Sequence, residues 1–177
     1  IRLHWKALTR VFAIWPANAG LSGMARVPVL PREVSDLIVV GTGGADWITI
    51  DQSRINAFAA STEDFQFIHI NPDEAKEKAG FDGTIAHGFL VLSLFSNFAI
   101  QAAVALEGAR VSINYGFEKL RFLNPVQSGS KVRGRFVLAD AVERKPDQWL
   151  LSYDVTVEIE SQSKPAIVAR WITLQVI

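Results

Sequence analysis

Hydrophobic positions along the chain fall into successive regimes. Near the start, Leu3, Leu8, Val11, Phe12 and Trp15 recur close to helical spacing until Pro16, which predicts a short helix docked on the body of the protein or on a neighbouring subunit. An exposed partner-binding helix is the alternative. Val27 to Asp36, with Pro28 and Pro31 and mixed polarity, reads as an extended linker entering a domain. LIVV and WITI, split by the glycine-rich Gly41 to Gly44, then predict an edge strand with a turn. At Asp51 the period changes: Asp51 is placed to cap a helix whose apolar side holds Ile55, Phe58 and Ala59 and which ends before Thr62 and Glu63. The segment from Asp64 reads as a loop. Pro72 starts another short helix and Gly80 stops it.

From Ile85 to Leu106 the chain carries no charged residue and no strict alternation, so its length predicts one long, buried helix. Ser93, Ser96 and Asn97 interrupt it, which favours a core helix over a membrane span. Beyond Gly108 the period becomes two. SINYGFEKLRFLNPV, KVRGRFVLADAV, WLLSYDVTVEIE and PAIVARWITLQVI alternate and are rich in β-branched residues, separated by the turn-like QSGS, ERKPDQ and SQSK. This order implies an α+β domain, an antiparallel sheet wrapped around a long central helix, spanning residues 36–177. Residues 1–35 form an N-terminal extension with a short helix. Because Met24 follows the loop-like NAGLSG, residues 1–23 read as a segment upstream of the core protein.

Composition narrows the function. The 177 residues suffice for one domain with a sizeable core, 49% of them being hydrophobic. Eighteen basic side chains balance eighteen acidic ones, which withdraws electrostatic support from a nucleic-acid partner or an anionic membrane surface. The absence of cysteine removes disulfides, thiolate chemistry and Cys-ligated zinc, and fits a cytoplasmic setting. Arg10 and Pro16 interrupt the apolar opening, against a secretory signal.

One acid and one imidazole stand at short spacing in an uncharged context: Asp64 and His69, with Phe65, Phe67 and Ile68 around them. Five residues of loop can bend both onto one water, as general acid-base chemistry requires, and the apolar flanks would shift both pKa values. The structural alternative is that Asp64 caps the Gln66 or Phe67 amides and His69 is a satisfied core histidine. GTIAHGF follows, with Gly88 where the long helix begins. An amide there suits a carbonyl oxygen that gains charge, although the glycines would equally serve a tight turn and close packing. Gly41 to Gly44 lack the ending of a phosphate loop, and His4, His69 and His87 have no zinc-ligand spacing, so neither nucleotide nor metal is expected. Lys119, Arg121, Arg133 and Arg135 read as a solvated face, some of it able to meet the phosphates of a ligand.

Together DFQFIH and the later IAHGFLVLSLFS resemble the MaoC-like dehydratase family of hotdog-fold proteins, which includes the (R)-specific enoyl-CoA hydratases. The order DWITI, INAFA, DFQFIH, IAHGF is most similar to the single-domain, nodulation-protein-N-like branch, and INYGFEKLRFLNPVQSGSKVRGRF continues the likeness. The resemblance covers roughly residues 36 to 177 and implies a catalytic Asp64 and His69, a thioester oxygen bound by the Gly88 amide, and support from Ser96. Gln66 and Phe67 depart from the Asn and Pro that many hydratases carry, so both belong to the pocket and Phe67 bears on substrate preference. His87 belongs to the turn or the pocket wall. The implied activity is (R)-specific hydration of a trans-2-enoyl thioester of coenzyme A or acyl carrier protein, or the reverse dehydration. It needs no metal or organic cofactor, coenzyme A being part of the substrate. An acyl-CoA thioesterase is disfavoured because Gly88 to Leu106 offers no carboxylate; a non-catalytic acyl-thioester binding protein is the third reading. A lone hotdog leaves a sheet edge unpaired, so a homodimer or a dimer of dimers is expected.

Overall fold

The computed structural model describes residues 28, 29, 31, 34 and 41–177. The N-terminal helix, the LIVV strand and the domain boundary near residue 36 lie outside the described residues. Alternation builds the sheet: in β6 (Lys131–Lys145), β7 (Gln148–Ile159) and β8 (Ile167–Val176) every second side chain turns inward along most of the strand. With β2 (Gly41–Gly44) and β5 (Val111–Phe122) they form the order β2-β6-β7-β8-β5, antiparallel throughout, and β3 (Ile48–Thr49) also pairs with β6. A separate parallel pair joins β1 (Pro28–Val29) to β4 (Ala105–Leu106).

Three sequence expectations change at this level. The glycine run 41–44, read as a turn, is itself strand β2, because backbone pairing with β6 asks nothing of the side chains; its register slips between Gly41 and Gly43. ERKPDQ is mostly strand: the ladder reaches Lys145 opposite Gln148, and only Pro146 and Asp147 turn, Asp147 at φ 64°. The central helix is shorter and broken. It comprises α4 (Gly88–Ser93) and α5 (Phe95–Ala102) with Leu94 between. Ser93 explains the hitch, since its hydroxyl donates to the Leu90 carbonyl at 2.7 Å and competes with the helical ladder. At either end tertiary pairing wins over helix propensity: Ile85 bridges to Gln127, Ala86 donates to the Val126 carbonyl, and Ala105–Leu106 is β4. Nor is the helix buried all round, Phe89 and Ile100 being 67% and 64% exposed.

The inner face of the helix fills the curl of the sheet. Phe95 meets Phe136 and Trp171 edge-on at 6.5 and 5.9 Å, and Phe98 is fully buried over Gly134. A Cβ on Gly134 would lie 2.8 Å from Phe98 Cδ2, so the missing side chain is what lets α5 lie on β6. On the outer face Arg133 and Arg135 both donate to Glu158 at 2.6 Å. Burial alone would raise the Glu158 carboxyl, but the two guanidiniums hold it below its ordinary value. These arginines are therefore engaged in a sheet-surface ion pair, while Lys119 and Arg121 are exposed.

Candidate active site

Helix α1 (Gln52–Thr62) begins at the Asp51 cap, whose carboxylate accepts from the Arg54 amide at 2.8 Å, and buries Ile55 and Ala59. It ends at Glu63 in the left-handed region, φ 58° and ψ 19°, a conformation that costs a residue with a side chain and turns the chain sharply. Asp64 follows that turn with its side chain 53% exposed. The segment read as a loop is only half loop, because Phe67–Ile70 closes a one-turn helix, α2, which carries His69 inward. Asn71 then caps α3 (Pro72–Ala79) from both sides, accepting from the Glu74 amide and donating to its carboxylate, and Gly80 closes it.

His69 is 7% exposed and its orientation is fixed. Nδ1 lies 2.7 Å from the Ile85 carbonyl, and a carbonyl can only accept, so the proton is on Nδ1 and Nε2 keeps its lone pair. The Ile85 carbonyl is itself held, since the Ile85 amide donates to Ile68. Gln52 grips the same turn: its amide nitrogen donates to the His69 carbonyl at 2.8 Å while its oxygen accepts from the Thr84 hydroxyl. Burial pulls the His69 pKa below its ordinary value; the Ile85 bond opposes this, His87 adds to the lowering and Asp64 counters it. His69 is thus poised as a neutral imidazole with a free Nε2 near neutral pH.

His87, 2% exposed, stacks on His69 with ring centroids 3.7 Å apart, and its Nε2 lies 2.9 Å from the Asp64 carbonyl. One ring nitrogen of each histidine and a carboxylate oxygen of Asp64 all lie within 4.8 Å of one another. The trio offers three donors of metal-binding type that sequence spacing did not reveal. Two nearly parallel rings, 26° apart, cannot both aim an in-plane lone pair at one ion, so the arrangement suits proton transfer better than metal ligation. Gly88 opens α4 beside them, exposed, and its amide at the first helical position has no intrahelical acceptor.

The other expected residues are placed variously. The Gln66 amide donates weakly to Asp64 Oδ1 at 3.4 Å, so the capping alternative holds in part. Phe67 is half-buried beneath Lys78 of α3. Ser96 is exposed on α5 with no hydrogen bond to Asp64 or His69 among the described residues. Gln52 and Thr84 escaped the sequence reading because they act through backbone and side-chain contacts made only once α1 packs on the site.

The lowered His69 pKa has a consequence for stability. The folded state binds fewer protons at this site than the unfolded chain does, so its contribution is full above the ordinary value of 6.5 and is lost as pH falls through the lowered folded value. The melting temperature should therefore decline between pH 7.5 and 5.5. His69→Asn, which keeps a donor for Ile85, should flatten that decline; equal slopes in the two proteins would assign it to other groups.

Residues 41–159 match the family described as MaoC like domain. Nodulation protein N of Rhizobium meliloti is 46% identical over 142 residues, covering 80% of this chain and 88% of its own. The 3-hydroxyacyl-thioester dehydratase Z of Mycobacterium tuberculosis is 40% identical over 142 residues, covering 78% and 92%. Among solved structures, the (R)-hydratase from A. caviae superposes with a TM-score of 0.59 at 26% identity, over 75% of this chain and 94% of that one. The sheet curled around α4 and α5, the two histidines gathered on the Asp64 loop and these likenesses agree, and the chain belongs to the MaoC-like family of hotdog-fold proteins.

Proposed function

We propose that the protein catalyses (R)-specific hydration of a trans-2-enoyl thioester to the 3-hydroxyacyl thioester, or the reverse. The observation that carries this reading is the buried His69, tied through Nδ1 to Ile85, with the half-exposed Asp64 carboxylate beside it. A water held between Asp64 and His69 Nε2 adds its oxygen to C3 of the enoyl group. The pair takes one proton of that water and delivers a proton to C2, so water adds across the double bond without any redox step. Charge that builds on the thioester oxygen meets the Gly88 amide. No group outside this chain and its substrate is needed. Relatives named as a 3-hydroxyacyl-thioester dehydratase and an (R)-specific enoyl-CoA hydratase support the reaction class. Loss of enoyl absorbance from crotonyl-CoA and from a longer enoyl-CoA, with (3R)-hydroxyacyl-CoA as product, tests it; no loss with either would leave the binding reading.

The active form is a homodimer. Among the described residues strand β5 ends the sheet with no further partner, and Val111, Ile113, Tyr115 and Phe117 on it are all exposed. Sedimentation equilibrium should return twice the chain mass, and Ile113→Lys with Tyr115→Lys should shift it toward one; a wild-type monomer would refute this.

A further inference from the structure

We propose that His87 is the positioning residue of this site, anchoring the Asp64 loop through Nε2 and bracing the His69 ring by stacking, so that one side chain holds both members of the pair in register. The inference deepens the hydratase reading and its kinetic arm rests on it.

The geometry is that of a bracket. His87 packs against both Phe58 of α1, at 5.1 Å between ring centroids, and His69 of α2, at 3.7 Å, while its backbone holds the capping position before α4. Its Nε2 donates to the Asp64 carbonyl and stands 3.9 Å from the carboxylate. Asp64 otherwise follows a strained left-handed turn and is exposed, with the 3.4 Å contact from the Gln66 amide as its other tie among the described residues. The His87 bond is therefore the stronger restraint on where that loop, and with it the carboxylate, sits.

A packing role alone does not account for the residue. His87 makes no side-chain cap bond at the start of α4, although it occupies the capping position. Among the described residues its Nδ1 is buried without a hydrogen-bond partner, a cost that a phenyl ring of similar size would avoid. The fold accepts that cost and in return keeps a donor at Nε2 in a slot otherwise lined by rings. Asp64 and His69 are the titratable groups that face it, and it touches both.

The test separates the bond from the stack. His87→Phe retains a ring on His69 and loses the donor; His87→Gln restores an amide donor near the position of Nε2 and loses the ring. NMR order parameters of the 64–66 amides, which need no substrate, should fall from about 0.85 toward 0.6 in His87→Phe and recover in His87→Gln. With crotonyl-CoA, His87→Phe should lose roughly 10²-fold in kcat at little change in KM, a misplacement effect, with partial rescue by Gln. Unchanged loop order and unchanged kcat in a folded His87→Phe would overturn the proposal, as would equal losses in both variants accompanied by equal falls in melting temperature. Wild-type protein inactive on every enoyl thioester would sink the hydratase reading and leave the loop-order arm to decide the role of His87.

Discussion

Asp64→Asn should lower enoyl-CoA hydration by roughly 10² to 10⁴-fold, the usual contribution of a general acid-base group, while leaving the fold intact. The second half of that expectation comes from exposure. Asp64 has a half-exposed side chain, and Asn keeps an oxygen for the Gln66 amide, so stability should move by no more than about 0.5 kcal/mol. His69→Asn should be equally inactive, since it preserves a donor toward Ile85 and removes the free Nε2. Steady-state rates and melting curves on the same preparations check both variants. Turnover at the wild-type rate in Asp64→Asn would place the chemistry elsewhere. Unchanged acyl-thioester binding in a wild-type protein without turnover would favour the binding reading.

Asp64 and His69 could be singled out in the sequence because they are neighbours in it, and five residues of chain hold them close whatever the rest of the fold does. The strands were legible for a similar reason: alternation from Val132 to Leu138 or from Ile167 to Gln175 is a local pattern that a curled, half-buried sheet requires. The stacking of His87 on His69 was not legible. It spans eighteen positions and depends on how α1, α2 and α4 converge. The Gln52 clamp was hidden for the same cause, and so were the limits of the central helix, where the bond from the Ala86 amide to Val126 and the bridge of Ile85 to Gln127 took residues that an apolar run alone assigns to the helix. Local pattern and short spacing therefore traced most of the scaffold and singled out the proposed pair, while the contacts that orient the pair are tertiary.

How α5 seats on the sheet governs stability, and it gives the second large effect. Phe98 is fully buried against Gly134, so Phe98→Ala should cost about 3 to 5 kcal/mol, lost transfer energy plus the cavity left behind. For a chain of this size that is a fall of roughly 6 to 20 °C in melting temperature. Gly134→Ala should also destabilise, by about 1 to 3 kcal/mol, because its Cβ would sit 2.8 to 2.9 Å from atoms of Phe98 and Phe136 that are themselves too buried to swing away. The two losses should not add. With the Phe98 ring gone, its Cδ2 no longer meets a methyl at position 134, although the Cβ of residue 98 and Phe136 Cε2, both 2.9 Å away, still do, so the double variant should be more stable than the sum of the single effects by roughly 0.5 to 1 kcal/mol. Denaturant titration of the four proteins measures that coupling directly. Strict additivity would mean that Phe98 and Gly134 do not share one packing site, and that the absence of a side chain at position 134 is not what brings α5, and with it the helix opening at Gly88, down onto β6.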